Sequence, residues 1–333
     1  MLALALALAL ALGLATGCGR ERGASAARTL TVFDAGSLAP AFRALADGFR
    51  ARHPGVDVAL ESSGSLEAAR KITELGRVPD VLAVADAEVI PALLAPAHAT
   101  WYEVFAGTRY GLLYTDRSAG AAAMAATSAD GPAAAPAEWW RVLLRPGVRL
   151  GRSDPRLDPA GYRALLVARL AERHYGEPGL AARLDAAVRP GDVRPKSADL
   201  VALLQAGELD YAWGYEAVAR GAGLRFRALP PAIDLSDPAH AADYAAAQVR
   251  IPGPRARPAD TLAVRGAPIA YAITIPTQAA EPALARAFVD YVLSDTGRAV
   301  LAARGFRLPA APHPIILPGG DSTRGAAARP RRP

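Results

Sequence analysis

Apolar positions along this chain alternate between two spacings, one suited to strands and one to helices. Leu30-Thr31-Val32-Phe33 is a β-branched and aromatic run that predicts a strand, and it breaks at Ala35-Gly36-Ser37. Leu38, Phe42, Leu45 and Phe49 then recur at helical spacing, until His53-Pro54-Gly55 ends the helix. Alternation over residues 56–60 predicts a second strand. A helix over residues 66–75 follows, with Ser65 at its N-cap, Glu67 in its first turn and Gly76 beyond its end. Val81-Leu82-Ala83-Val84-Ala85 is apolar throughout, the pattern of a parallel strand buried on both faces, and a short helix runs on to Leu94.

The same grammar continues in the second half. Residues 104–115 read as one strand, Trp139-Trp140 opens a short helix, and residues 148–151 form a strand. Asp158-Pro159 reads as N-cap and first residue of a helix reaching Tyr175, with Leu165, Leu166 and Leu170 on its inner face. Ser197 caps a helix over residues 198–206 that Gly207 closes. A strand over residues 210–215, a helix over residues 216–222 and a β-rich run over residues 269–275 follow. Two helices, over residues 280–293 and 296–303, complete the pattern, the last expected to pack back on the first domain. Strands alternating with helices predict an α/β fold with parallel strands, and the length accommodates two domains. Crossings between them are expected at residues 115–118 and 268–276. That places residues 29–116 plus 270–317 in lobe 1 and 117–269 in lobe 2, with a tether at 19–28 and a disordered tail at 318–333.

Charge adds little. The formal net charge is +6, but the bases are almost all Arg, Lys occurring only at positions 71 and 196, and no basic stripe is interleaved with aromatics. Nucleic-acid binding is therefore not expected. Cys18 is the only cysteine, which rules out an internal disulfide and a thiolate metal cluster. It follows an Ala/Leu run and the small residues Ala15-Thr16-Gly17. This reads as a secretory leader over residues 1–18 that ends in a lipidated Cys18, similar to a bacterial lipobox. Leu14 stands four residues before the cysteine, and the leader lacks Lys and Arg. A membrane anchor is the alternative, although the run is shorter than the roughly 20 apolar residues a span needs. Either way the mature protein is exported.

Four turns each put a small polar residue at a helix start: Gly36-Ser37, Gly64-Ser65, Asp158-Pro159-Ala160 and Ser197. The first N–H groups of a helix lack internal partners and carry partial positive charge, so four such starts facing one cleft would hold a dianion without Lys or Arg. Ordinary helix capping is the competing reading, worth about 1 kcal/mol at each position. An exported hydrolase is the rival class. None of the five His residues lies in a His-Glu-x-x-His motif and no Gly-x-Ser-x-Gly elbow occurs, leaving only a Ser-His-Asp site assembled from distant positions. A receptor for sulfate or phosphate, or an exported scaffold without a small ligand, completes the alternatives.

Several segments together resemble the molybdate/tungstate-binding proteins of ABC importers, closest to the branch first described in archaea. They are residues 32–38, Gly64-Ser65 with Arg70-Lys71-Ile72-Thr73, residues 80–86, Tyr114-Thr115-Asp116, Asp158-Pro159-Ala160-Gly161-Tyr162-Arg163, Arg194-Pro195-Lys196, and Asp210-Tyr211-Ala212 with Tyr215. The resemblance spans about residues 30–309. It implies a type II periplasmic-binding-protein-like fold: two α/β lobes with mixed sheets flanked by helices, joined by two hinge crossovers and closing on an oxyanion. It implies contacts from Gly36, Ser37, Ser65, Asp158 and Tyr215, to which the turn residues Gly64, Pro159, Ala160 and Ser197 are added. It further implies a six-coordinate metal centre completed by two carboxylates, one of them Asp158. The second would be a Glu after Arg-Pro-Lys, where this chain has Ser197, so a tetrahedral anion with Ser197 donating is the alternative. Glu216 is the nearby carboxylate offered as its substitute. The implied protein is no enzyme, uses no cofactor, and acts as a monomer that delivers molybdate or tungstate to a membrane permease.

Overall fold

The computed structural model describes residues 28–127, 138–252, 261–311 and 314–318. The leader, Cys18, the tether before Arg28 and the tail beyond Pro318 lie outside the described residues.

The strands run in chain order as β1 (Arg28–Ala35), β2 (Val56–Ser63), β3 (Val81–Val84), β4 (Trp101–Ala106), β5 (Tyr110–Tyr114), β6 (Leu150–Ser153), β7 (Val193–Arg194), β8 (Tyr211–Tyr215), β9 (Arg225–Ala228), β10 (Gln248–Pro252), β11 (Thr261–Arg265), β12 (Tyr271–Thr274) and β13 (Pro314–Ile316). A six-stranded sheet has the order β13-β4-β12-β3-β1-β2, and a five-stranded sheet the order β7-β6-β8-β5-β9. In the first, β1 lies parallel to β2 and β3, while β12 runs antiparallel to β3 and β4. In the second, β6 lies parallel to β7 and β8, and β5 runs antiparallel to β8 and β9. Both sheets are mixed. β10 and β11 form a separate antiparallel hairpin.

Strand membership moves one expected boundary. Tyr110–Tyr114, read from sequence as part of one long strand of lobe 1, is a separate strand inside the second sheet. The chain therefore first changes lobe at residues 107–109, not 115–118, and returns at residues 266–270, just before β12. The strand misled because every residue of β5 is buried. A strand apolar on both faces shows no alternation, so its pattern does not reveal which sheet it joins. The first strand also begins at Arg28, within the expected tether, where it pairs with Val56.

Each lobe has its own aromatic core. In lobe 1 Phe288 of the helix Pro282–Leu293 sits edge-on to Phe42 and Phe49 of the helix Ala39–Arg52, at 6.2 and 5.2 Å between ring centroids. The apolar positions at helical spacing are thus the ones buried. In lobe 2 Trp213 stacks on Tyr110, with ring centroids 6.1 Å apart, and stands edge-on to Trp139 at 5.7 Å. Among the described residues no helix is long and apolar enough to cross a membrane.

Candidate functional site

On the lobe 1 side, β1 runs into one 3-10 turn, Gly36–Leu38, before the helix Ala39–Arg52 begins with Pro40 in its first turn. The turn buries Ser37, whose Oγ accepts a hydrogen bond from the Tyr271 hydroxyl at 3.1 Å. The second turn differs from expectation. Gly64, not Ser65, holds the cap position of the helix Ser65–Thr73. Ser65 Oγ instead accepts from the Ala85 N–H at 2.9 Å, just past β3. The helix-start N–H groups of Leu66 and Glu67 cross the cleft and both bind the Leu157 carbonyl of lobe 2, at 3.1 and 3.2 Å. Those donors are spent on closing the lobes rather than left for a ligand.

On the lobe 2 side, Asp158 caps the helix Pro159–Tyr175 as expected, Oδ1 accepting from the Ala160 N–H at 3.1 Å. Pro159 takes the first helical position, where its missing N–H costs nothing. Oδ2 of Asp158 accepts from the Ser197 N–H at 2.7 Å. Ser197 is the first residue of the helix Ser197–Ala206 and Lys196 holds its cap position, so Ser197 is not the cap. One carboxylate starts two helices instead. Burial pushes the Asp158 carboxyl above its usual range, and the two N–H donors work against that rise. Ala160 is fixed as well, its carbonyl accepting from the Tyr110 hydroxyl at 2.5 Å.

Tyr215, the last residue of β8, is buried with its ring 5.9 Å from Tyr271 and 5.3 Å from Tyr110. Its hydroxyl oxygen accepts from Arg163 Nη1 at 2.7 Å. The same guanidinium donates to the Ala85 carbonyl of lobe 1 at 2.7 Å and lies 3.4 Å from the Asp86 carboxylate. Asp86 also accepts from the Tyr162 hydroxyl. Sequence reading had expected the cleft to work without Lys or Arg, yet Arg163 is only 3% exposed and joins the two lobes. Periodicity gave no signal for it, because Arg163 stands five positions after the Asp158 cap, off the i+3 and i+4 positions that share a face.

The lobes are closed on each other. Lys196 Nζ reaches the Ser62 carbonyl at 3.4 Å, and Arg70 Nη1 donates to the Arg156 carbonyl at 2.8 Å. A Cβ on Gly64 would stand 2.2 Å from the Leu157 oxygen, and one on Gly36 would stand 3.5 Å from Ala198 Cβ. The structure thus brings Gly36, Ser37, Gly64, Ser65, Asp158, Pro159, Ala160, Ser197 and Tyr215 to one seam. Glu216 is turned elsewhere, paired with Arg109 at 2.7 Å and Arg220 at 2.9 Å.

Three buried hydroxyls in this seam share one condition. Ser37, Ser65 and Tyr215 each accept a hydrogen bond from the protein, from Tyr271, Ala85 and Arg163 respectively. Each retains its own proton, for which no acceptor is found among the described residues. A hydroxyl donates once, and a buried donor without an acceptor costs about 1–3 kcal/mol. The arrangement therefore suits a guest made of acceptors.

Comparison with known proteins agrees with this geometry. The family model described as "Bacterial extracellular solute-binding protein" matches residues 30–307. A solute-binding protein of Petrotoga mobilis is 38% identical over 276 residues, covering 83% of this chain and 82% of its own length. The molybdate/tungstate-binding protein WtpA of Pyrococcus abyssi is 32% identical over 295 residues, covering 81% and 82%. Among solved structures, the periplasmic molybdate-binding protein of Azotobacter vinelandii superposes with a TM-score of 0.56 at 19% identity, over 84% of this chain and 99% of that one. At that identity the likeness is one of fold.

Proposed function

Because the chain belongs to the bacterial extracellular solute-binding protein family, we propose that it captures molybdate or tungstate between its lobes and delivers the anion unchanged to an ABC permease. The observation that carries this reading is the set of buried hydroxyls of Ser37, Ser65 and Tyr215, each with its acceptor side used and its proton free. An unprotonated tetrahedral dianion offers only acceptors and matches them. Hydrogen phosphate also carries a proton, for which these three donors offer no acceptor. The 32% identity to WtpA supports molybdate and tungstate within the class of dianions. Asp158 is proposed as the carboxylate beside the metal centre, with Gly36, Gly64, Pro159, Ala160 and Ser197 shaping the wall. A lipid on Cys18 would hold the exported protein, a monomer, at the membrane surface.

Calorimetric titration of a soluble form that starts after Cys18, with tungstate, molybdate, sulfate and phosphate, tests the reading. Binding of the first two and neither of the others is expected. Equal binding of sulfate would replace it with a general dianion receptor, and no binding of any would end it. Asp158→Asn then separates the modes of contact. A direct bond to the metal centre predicts a larger loss for tungstate than removal of a remote helix cap would cause.

A further inference from the structure

Arg163 stands where three groups meet. A guanidinium presents its N–H donors in a rigid plane, so what one nitrogen binds constrains where the others point. Nη1 serves both the Ala85 carbonyl of lobe 1 and the Tyr215 hydroxyl oxygen of lobe 2, and Nη2 faces Asp86 of lobe 1. Because Tyr215 accepts from Arg163, its own proton must turn away from the guanidinium. Ala85 is held from the other side as well, its N–H donating to Ser65 Oγ, which leaves the Ser65 proton to turn away in the same manner. Arg163 is thus linked to two of the three free hydroxyl donors, one in each lobe. Ala85 and Asp86 lie within its reach only when the lobes are together, so opening strips the guanidinium of both lobe 1 acceptors.

We propose that Arg163 is a positioning residue that couples lobe closure to ligand capture: seated on Ala85 and Asp86 of the opposite lobe, it turns the Tyr215 hydroxyl proton toward the bound anion. The proposal rests on the oxyanion reading. In this role Arg163 need not touch the anion. It makes Tyr215 a donor in the closed form, and it makes the closed form dependent on the segment that also orients Ser65. Asp86 is the anchor on the far side, fixed in turn by the Tyr162 hydroxyl.

The test is a double-mutant cycle on the same soluble form with tungstate and molybdate as probes. Affinity is read by calorimetry, closure by small-angle scattering with and without the anion, and stability by the melting midpoint of the ligand-free form. Arg163→Gln and Tyr215→Phe are each expected to weaken tungstate binding by about tenfold or more, the scale of one lost buried hydrogen bond. The double variant should bind no more weakly than the worse single one, because each change removes the same donor. Arg163→Lys should fall between Gln and the parent, since it keeps the charge but not the planar fork. The compaction on adding tungstate should shrink in Arg163→Gln. Losses that multiply in the double variant, or parental affinity in Arg163→Gln, would overturn the coupling while leaving the oxyanion reading in place. Should Arg163→Gln fail to fold, Asp86→Asn carries the same question. It spares every proposed anion donor, so about tenfold weaker binding supports the role and unchanged binding removes it. Failure of the parent to bind either anion would instead overturn the oxyanion reading, and this proposal with it.

Discussion

At the scale of single residues, the seam separates donors held for a guest from groups already satisfied. Ser65 belongs to the first kind, and Ser65→Ala is expected to weaken tungstate binding by about 1–3 kcal/mol. The same change frees the Ala85 N–H, so part of that loss should appear as a lower melting midpoint without ligand. Unchanged affinity by calorimetry would take Ser65 out of the site. Asp34 belongs to the second kind. It is buried in β1, both carboxylate oxygens accept from Ser62 Oγ at 2.9 Å, and burial pushes its carboxyl up to about 7 against the partial relief that Ser62 provides. A folded value above the unfolded one means the fold holds this proton longer. The stability it contributes is complete below the unfolded value of 3.8 and is lost as pH rises through about 7. Asp34→Asn removes that slope. Its advantage over the parent should grow from near zero at about pH 4 to at most about 4 kcal/mol at about pH 8, measured by urea unfolding. An advantage constant across that window would show that Asp34 titrates like an exposed carboxyl.

At the scale of elements, helix starts do two jobs. The start at Gly64-Ser65 gives two N–H groups to Leu157 across the cleft, and the close approach that this needs leaves no room for a Cβ. Gly64 has φ −66° and ψ 144°, a conformation alanine adopts freely, so Gly64→Ala should fold with ligand-free stability within about 1 kcal/mol of the parent. The lobes should then fail to close, with tungstate affinity down by tenfold or more. Parental affinity in that variant would mean that capture does not require this contact. These elements also show where sequence was readable. Leu38, Phe42, Leu45 and Phe49 placed their helix because spacing alone selects the buried face, and Asp158-Pro159 placed another because cap and first-turn chemistry are local. Ser65 and Ser197 were placed at the right turns but given the wrong role. Their helix-start donors are satisfied by Leu157 and Asp158, partners that no local pattern reveals. The hairpin of β10 and β11 was missed although Val249 and Ile251, and Leu262 and Val264, alternate with polar or small residues, because both runs are only five residues long and lie in a Pro- and Ala-rich stretch.

At the scale of the whole molecule, two sheets of different order share one seam, and the chain crosses between them at residues 107–109 and 266–270. Nearly all the candidate residues flank that seam, and the resemblance carried by short segments supplied an arrangement that periodicity alone did not. Because an anion held by both lobes binds the closed form, tungstate at a hundredfold excess over its Kd should raise the unfolding free energy by about 2.7 kcal/mol. Scattering should show a smaller radius of gyration with the anion than without it. Stabilisation without compaction would place binding on one lobe alone.

The pair of bonds from Leu66 and Glu67 to the Leu157 carbonyl has a consequence for how such a protein can change over generations. They join main chain to main chain, and apart from the glycine at position 64 they ask nothing of side-chain identity. This main-chain part of closing is therefore inherited through substitutions that rewrite the hydroxyl lining. A descendant can exchange hydroxyls for other groups and acquire a different cargo without having to rediscover how to shut.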